Sequence, residues 1–210
     1  LPISNTFNNL TLVPKTAVGI NPYQFTANQI INGTLTCAGS DAVHRVFLQS
    51  GTLGTPYTLT VNSLSANDCD FRDITIAGTA AGTSPTRAGD CGGNKGIIFP
   101  VAKTVYWNLA GTQNWSATGW ATSSGGAPAV NNFPLAQDTC IFDNAGNAGT
   151  VTIDAAWNIG TITASSRTAA MTFAPVVSSN IYGDITYGSG FTLSGSATFN
   201  FYGTGTQTFT

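Results

Sequence analysis

Short segments in which apolar and polar residues alternate follow one another along the whole chain. In the first hundred residues they include NQIINGTLTCAG, HRVFLQS and YTLTVNSLSA, and the pattern restarts near residue 104 with TVYWN, TVTIDA and GTITAS. Alternation of this kind places apolar side chains on one face of a β-strand. Gly, Asn, Asp and Ser separate the segments, as turn residues do. The pattern therefore predicts an all-β chain of many short strands.

The last seventy residues carry a loose internal repeat. Phrases of the form apolar-Thr-apolar-x-Gly recur as ITYGSG, FTLSGS and FNFYGTG, and Ile162 precedes Ile185 by 23 residues. A period of about twenty residues is typical of successive solenoid coils. Stacked Thr, Ser and Asn form ladders, whereas like charges stacked about 4.8 Å apart repel. We predict a parallel β-helix or β-solenoid-like stack, with a β-sandwich or jelly roll as the alternative.

The sequence also predicts two modules. The segment RAGDCGGNKGIIFPVAKTVYWN joins a Gly-rich loop, an apolar segment, a Pro and a new strand, so the boundary is placed at Pro100–Lys103. Residues 1–100 form a β-rich N-terminal module. Residues 104–210 form a Gly/Thr-rich solenoid module that we expect to continue in a longer chain.

Composition excludes several classes of protein. Charged residues make up 8% of the chain, the nine acids are all Asp, and the net charge is −2. Helix formers are too scarce for a helical bundle, and the chain lacks the basic surface that nucleic-acid binding requires. No run of eighteen apolar residues occurs, so no membrane insertion is expected.

The four cysteines suggest structural roles. Cys69 and Cys91 both lie in Asp-containing, loop-like stretches and are the candidates for a disulfide. Cys37 and Cys140 lie in apolar alternation and are interpreted as small buried side chains. With no CxxC pair and His44 as the one histidine, neither a zinc site nor a nucleophilic triad is indicated. No metal or cofactor is expected.

A cluster of acids in NDCDFRDI allows two kinds of chemistry. Alternate spacing puts Asp68 and Asp70 on one face of an extended chain, with Asp73 close by. Paired carboxylates bind Ca²⁺ or serve as the acid and base of glycoside hydrolysis. Arg72 is positioned to neutralise them, and Asp is a common turn residue. The turn interpretation is preferred.

Three further features are interpreted as local structure. Asp138 and Asp143 flank a strand as turn acids, and the Gly-rich GDCGGNKG lacks the Lys-Ser/Thr ending of a P-loop. The sequons at Asn9, Asn32 and Asn114 matter only in a eukaryotic secretory setting.

Three tryptophans are the most distinctive feature of the second module. Trp107, Trp115 and Trp120, with Tyr106, could form a platform on which the apolar faces of glycans stack. The alternative is a cap, in which the bulky rings seal the end of a solenoid whose apolar interior would otherwise meet water. The cap is the preferred interpretation.

The same stretch carries a resemblance to known proteins. In TVYWNLAGTQNWSATGWATSSGGAPAVNNFPLAQDTCIFDN, the tryptophans precede a Gly-rich loop, a Pro and an Asp-Thr-x-x-Phe-Asp strand. This pattern resembles large bacterial surface adhesins and bacteriophage fibre and tail-associated proteins. There it opens a β-helical stretch rich in Gly, Thr and Ser. The upstream GDCGGNKGIIF is more similar to the phage-borne versions.

The resemblance implies a non-enzymatic structural protein of a virion surface appendage, such as a phage fibre, spike or decoration. Its expected partners are copies of itself in a trimer, other virion proteins and host surface glycans. Two alternatives remain: a polysaccharide-degrading tailspike, and an adhesin segment on a bacterial cell surface. The expected location is the virion surface, or the cell surface for the adhesin.

Overall fold

The computed structural model describes all 210 residues and is all-β, with 45% of residues in strands. Its only helical element is a three-residue 3-10 turn at Val130–Asn132. No helix has the length and hydropathy needed to cross a membrane. The all-β prediction is therefore confirmed. The chain forms two compact units, Leu1–Val101 and Ala102–Thr210, divided within the predicted boundary segment.

The first unit contains nine strands. They are β1 (Thr6–Phe7), β2 (Leu10–Leu12), β3 (Gly19–Phe25), β4 (Gln29–Ala38), β5 (His44–Ser50), β6 (Tyr57–Asn67), β7 (Cys69–Arg72), β8 (Ile74–Ala77) and β9 (Gly89–Asp90). One sheet has the order β1-β4-β6-β8, with β2 also paired to β4, and the other has the order β3-β5-β7-β9. All of these pairings are parallel.

The core of this unit is formed by alternate residues of both sheets. In β4, for example, Ile31, Leu35 and Cys37 are at most 1% exposed, whereas Ile30 is 47% exposed. The inward residues of β4, β6 and β8 join those of β5 and β7 in one hydrophobic cluster. In β4 the period-two alternation seen in the sequence is thus the division between core and surface, whereas β5 and β7 bury consecutive residues.

The second unit contains twelve strands. They are β10 (Thr104–Trp107), β11 (Gln113–Asn114), β12 (Trp120–Ala121), β13 (Thr139–Ile141), β14 (Thr150–Ile153), β15 (Asn158–Ile159), β16 (Thr161–Ala164), β17 (Met171–Pro175), β18 (Ser179–Ile181), β19 (Ile185–Tyr187), β20 (Phe191–Leu193) and β21 (Phe199–Phe201). They form sheets of order β12-β10-β13-β16-β19, β11-β14-β17-β20 and β15-β18-β21. Every pairing is parallel except that of β10 with β12.

Registers in this unit follow the repeat seen in the sequence. Ile162 pairs with Ile185, 23 residues later, as the repeat suggested. Phe201 pairs with Ile181, 20 residues earlier, so the repeat length differs between coils. Parallel strands need long connections, and here each connection passes through the other sheets before the chain returns.

Identical side chains stack where the registers bring them together. Asn158 pairs with Asn180, and Asn180 with Asn200. The amide nitrogen of Asn180 donates to Oδ1 of Asn158 at 2.9 Å, and that of Asn200 donates to Oδ1 of Asn180 at 3.3 Å. We call these three residues the asparagine ladder. It uses neutral groups that both donate and accept, which lets them repeat from strand to strand.

Candidate functional site

The tryptophan cluster, Trp107, Trp115 and Trp120, is a closely packed part of the second unit. Trp107 on β10 pairs with Trp120 on β12, and their ring centroids lie 5.1 Å apart at 82°. The rings of Trp115 and Trp120 are 4.7 Å apart at 65°. All three side chains are 1% exposed. Edge-to-face contacts of this kind stabilise a core beyond the area that they bury.

The contacts of the cluster leave no ring face for a sugar. Phe142 packs against all three indoles, with centroids 5.6 to 6.4 Å away. The indole nitrogen of Trp107 donates to the carbonyl of Leu109, and that of Trp120 to the carbonyl of Trp115. A glycan platform requires an open aromatic face, so the platform interpretation does not fit this geometry. The burial of all three side chains agrees with the interpretation of the cluster as part of the packed core.

Asp68 and Asp70 are neutralised by arginines from distant parts of the sequence. Nη2 of Arg45 lies 2.6 Å from Oδ1 of Asp70, and its Nη1 lies 3.7 Å from Oδ1 of Asp68. Nη2 of Arg87 lies 2.5 Å from Oδ2 of Asp68. Arg45 and both acids are at most 2% exposed. Arg72, which the sequence placed nearby to neutralise the cluster, lies 3.7 Å from Asp73, and the roles of Arg45 and Arg87 were not predicted.

The charge state of this network follows from its pairing. Burial alone would lower the pKa of Arg45, but the adjacent Asp70 carboxylate outweighs it and raises the pKa above its ordinary value. The hydrogen bond to Asp68 likewise raises the pKa of Arg87. Both arginines therefore stay charged, and breaking one buried pair would leave an uncompensated ion.

Asp73, the third acid of the cluster, is held within a turn. Its φ is +54°, and its Oδ2 accepts a hydrogen bond from the backbone N–H of Gly54 at 2.9 Å. Nε of Arg72 lies 3.7 Å from the same oxygen. The structure contains no group of three or more His, Cys or Asp side chains arranged to hold a metal ion. The cluster acts as a buried ionic network in this structure.

The Gly-rich loop GDCGGNKG is closed by its own hydrogen bonds. Oδ1 of Asp90 accepts from the backbone of Gly92 and from the side chain of Asn94. Gly96 has a φ of +73°, and a Cβ there would lie 1.9 Å from the carbonyl oxygen of Ile76. Only glycine fits this close approach between loop and strand. The loop forms a tight structural turn, as its sequence suggested.

The disulfide predicted between Cys69 and Cys91 is not formed. All four cysteines are buried thiols. The β7–β9 register pairs Asp70 with Gly89, which places Cys91 about 10 Å further along the sheet than Cys69. Burial, together with a hydrogen bond to the Cys37 thiol, raises the pKa of Cys69 well above its usual value. Cys37 and Cys140 are 0% exposed, as expected.

Asp138, Asp143 and His44 each have defined hydrogen-bond partners. Asp138 accepts hydrogen bonds from the backbone N–H groups of Leu135 and Lys103 at 2.8 and 2.9 Å, and it pairs with the Lys103 ammonium group. Asp143 accepts from two N–H groups of its own turn. His44 pairs with Asp41, three residues earlier, at 2.8 Å. This partner of His44 was not predicted from the sequence.

An exposed apolar surface lies on the last strands of the second unit. We define the final layer as β19, β20 and β21, which end the three sheets. The side chains of Tyr187, Leu193, Phe201 and Phe209 in or beside it are 39 to 45% exposed. Phe209 forms an isolated parallel bridge to Ile185 of β19, whereas β20 and β21 each have one strand neighbour. Their outer edges offer unpaired backbone groups for further strand pairing.

Comparison with known proteins gave no assignment: no protein-family model, curated protein or solved structure matches this chain. The functional interpretation therefore depends on the chemistry of the residues and surfaces described above.

Proposed function

We propose that each unit is a short β-solenoid and that the chain is a non-enzymatic structural module. Parallel pairing at regular sequence offsets supports the solenoid, because a sandwich or jelly roll is assembled mainly from antiparallel strands. In the second unit the offsets between paired strands are close to the repeat period, as between Asn158, Asn180 and Asn200. Each turn of the chain then adds one strand to each of three sheets.

The single observation that carries the structural role is the final layer. Its two open strand edges and four large apolar side chains can be covered by further strands, either of a continuing chain or of another copy. Open edges promote association with further strands unless they are covered. The low charge of the chain, 8% of residues, provides little repulsion against self-contact. A module of this kind is suited to assembly with copies of itself.

The resemblance of the tryptophan-containing stretch to phage fibre proteins adds a location and a stoichiometry. We infer a component of a virion surface appendage that assembles as a homotrimer with other virion proteins and contributes to host attachment. Pairing of Asp68 and Asp70 with arginines supports the non-enzymatic alternative over a tailspike hydrolase, since an acid–base pair must be accessible to substrate. A bacterial adhesin would use the same structural properties on a cell surface.

The assembly role is tested by measuring mass in solution. Multi-angle light scattering of the purified chain at micromolar concentration is expected to give an oligomer. Leu193→Lys and Phe201→Lys place charges on the final layer and should reduce the mass to that of a monomer. Val130→Lys is the matched control, since Val130 is also exposed, at 55%, but lies in the 3-10 turn.

A monomeric wild-type chain would contradict the assembly role. The non-enzymatic role is tested separately by incubating the protein with host surface polysaccharide. Cleavage that disappears in Asp70→Asn, while the variant remains folded, would favour the tailspike alternative.

A further inference from the structure

A polar cleft opens on the outer surface of the first unit. It has a volume of about 320 Å³ and is lined by residues of β1, β4, β6 and the segments that precede them: Ser4, Asn5, Thr6, Asn28, Gln29, Ile30, Thr58 and Thr60. We call it the threonine cleft. Its volume lies at the lower end of the range that holds small-molecule ligands.

Sheet register produces the floor of the threonine cleft. Thr6 pairs with Ile30, and Ile30 pairs with Thr60, so the three residues form one row across β1, β4 and β6. Ile30 is 47% exposed, while the next residue, Ile31, is 1% exposed and belongs to the core. The row therefore faces outward, and it places an exposed apolar side chain between two threonines.

One side of the cleft is fixed by a buried amide. Gln29 is 1% exposed. Its Nε2 donates to the carbonyl oxygens of Ile3 and Ala27, both at 2.9 Å, and its Oε1 accepts from the backbone N–H of Asn5 at 3.2 Å. These bonds hold the segment before β1 against β4. A site whose shape is fixed in advance loses less conformational entropy when a ligand binds.

Several polar groups of the cleft remain available to a ligand. The hydroxyl groups of Ser4, Thr6, Thr58 and Thr60 make no hydrogen bond within the chain. Oδ1 of Asn28 accepts from the backbone N–H of Thr58 at 2.8 Å, which fixes the amide and leaves its two N–H donors for another partner. None of the lining side chains carries a charge.

We propose that the threonine cleft binds a neutral saccharide. Hydroxyl and amide groups that both donate and accept match the hydroxyl groups of a sugar. The exposed Ile30 side chain offers an apolar contact for the C–H face of a sugar ring. An anionic ligand would lack a cationic partner among these residues, and a purely apolar ligand would leave the hydroxyls unsatisfied. This site belongs to the first unit alone and goes beyond the assembly role proposed above.

The proposal is tested by saturation-transfer NMR with maltotriose, mannotriose and tri-N-acetylchitotriose as neutral probes and trigalacturonic acid as the acidic comparison. We expect transfer to at least one neutral trisaccharide and none to the acid. Thr58→Val and Thr60→Val keep side-chain volume and remove one hydroxyl each. Together they should raise the dissociation constant of the trisaccharide by about tenfold or more, as expected for the loss of two hydrogen bonds.

Thr11→Val is the matched control. Thr11 is an exposed threonine on β2 of the same sheet, outside the cleft, and its replacement should leave binding unchanged. Thermal unfolding checks that all three variants remain folded. The proposal is overturned if no neutral trisaccharide shows transfer, if the acid binds equally well, or if Thr11→Val weakens binding as much as the cleft variants. Because the readout is binding, its failure is distinguishable from a failure to oligomerise.

Discussion

Trp107 and Trp120 lie directly opposite each other on β10 and β12, the one antiparallel strand pair of the chain. Their rings meet edge to face with a centroid separation of 5.1 Å. Trp115 also packs against Trp120, with ring centroids 4.7 Å apart. The short strand β12 thus brings a large aromatic side chain into contact with two others, and all three are 1% exposed.

Trp115→Ala is expected to lower the free energy of unfolding by about 3–5 kcal/mol, because it removes a fully buried aromatic side chain and leaves a cavity. Urea unfolding followed by circular dichroism measures the change. Trp115→Phe, which keeps an aromatic ring, should lose much less. A loss below about 1 kcal/mol for the alanine variant would show that the cluster is not a packed core.

Asp70→Asn is expected to destabilise the first unit by about 3–5 kcal/mol, since it leaves the buried Arg45 guanidinium without its closest carboxylate. The double variant Arg45→Met/Asp70→Leu removes both charges and should recover much of the loss. Asp41→Asn is the exposed control, with a small effect expected. Equal unfolding midpoints for the single and double variants would contradict the role of charge in this site.

Because the thiols are buried, we expect the free energy of unfolding to fall as the pH becomes alkaline. Burial raises the pKa of Cys140 well above its usual 9.0. A raised pKa means that the folded chain holds this proton more tightly, so its contribution to stability is complete below pH 9.0. That contribution is lost as pH rises from there towards the folded-state pKa, by up to about 1.4 kcal/mol per pH unit.

Unfolding in urea between pH 7 and pH 10, run for wild type and Cys140→Ala, measures this effect. The variant should show a shallower decline above about pH 9. A thiol reagent adds a second check: the native chain should react slowly, and the unfolded chain should react at all four cysteines. Two reactive cysteines after unfolding without reductant would reveal a disulfide.

The asparagine ladder predicts that its central position is the most sensitive. Asn180→Asp replaces the donor to Asn158 with a carboxylate oxygen, which faces another acceptor. We expect a loss of about 1–3 kcal/mol at pH 7. Part of this loss should be recovered at pH 3, where the carboxyl group is protonated. Asn200→Asp, at the last position, should have a smaller effect, and equal losses at both positions would argue against the ladder.

The sequence predicts strands such as β4 and β14 because their alternate residues are buried. Segments such as HRVFLQS and TVTIDA became β5 and β14. The strand β3 was not predicted, because Gly19 and Pro22 interrupt its alternation of apolar and polar residues. Pro22 is exposed, so it removes no core contact. The apolar segment KGIIFP at the module boundary forms no strand and has only isolated bridges at Lys95 and Ile97. Apolar content alone does not specify strand pairing.

Long-range partners were the main limit of the sequence analysis. The acids in and beside β7 were identified, but Arg45 is 25 residues from Asp70, and only the β5–β7 register brings them together. The β7–β9 register, in turn, places Cys69 away from Cys91. The threonine cleft was also missed, because Thr6, Ile30 and Thr60 become neighbours only through parallel pairing.

The antiparallel strand β12 makes the two edges of its sheet different. β12 runs antiparallel to β10 and pairs along its outer edge, so no parallel strand can pair with β10 on that side. At the opposite end of the same sheet, β19 accepts a parallel bridge from Phe209. Parallel elongation of this sheet past β10 is therefore stopped by β12, whereas the opposite edge, at β19, accepts a parallel bridge.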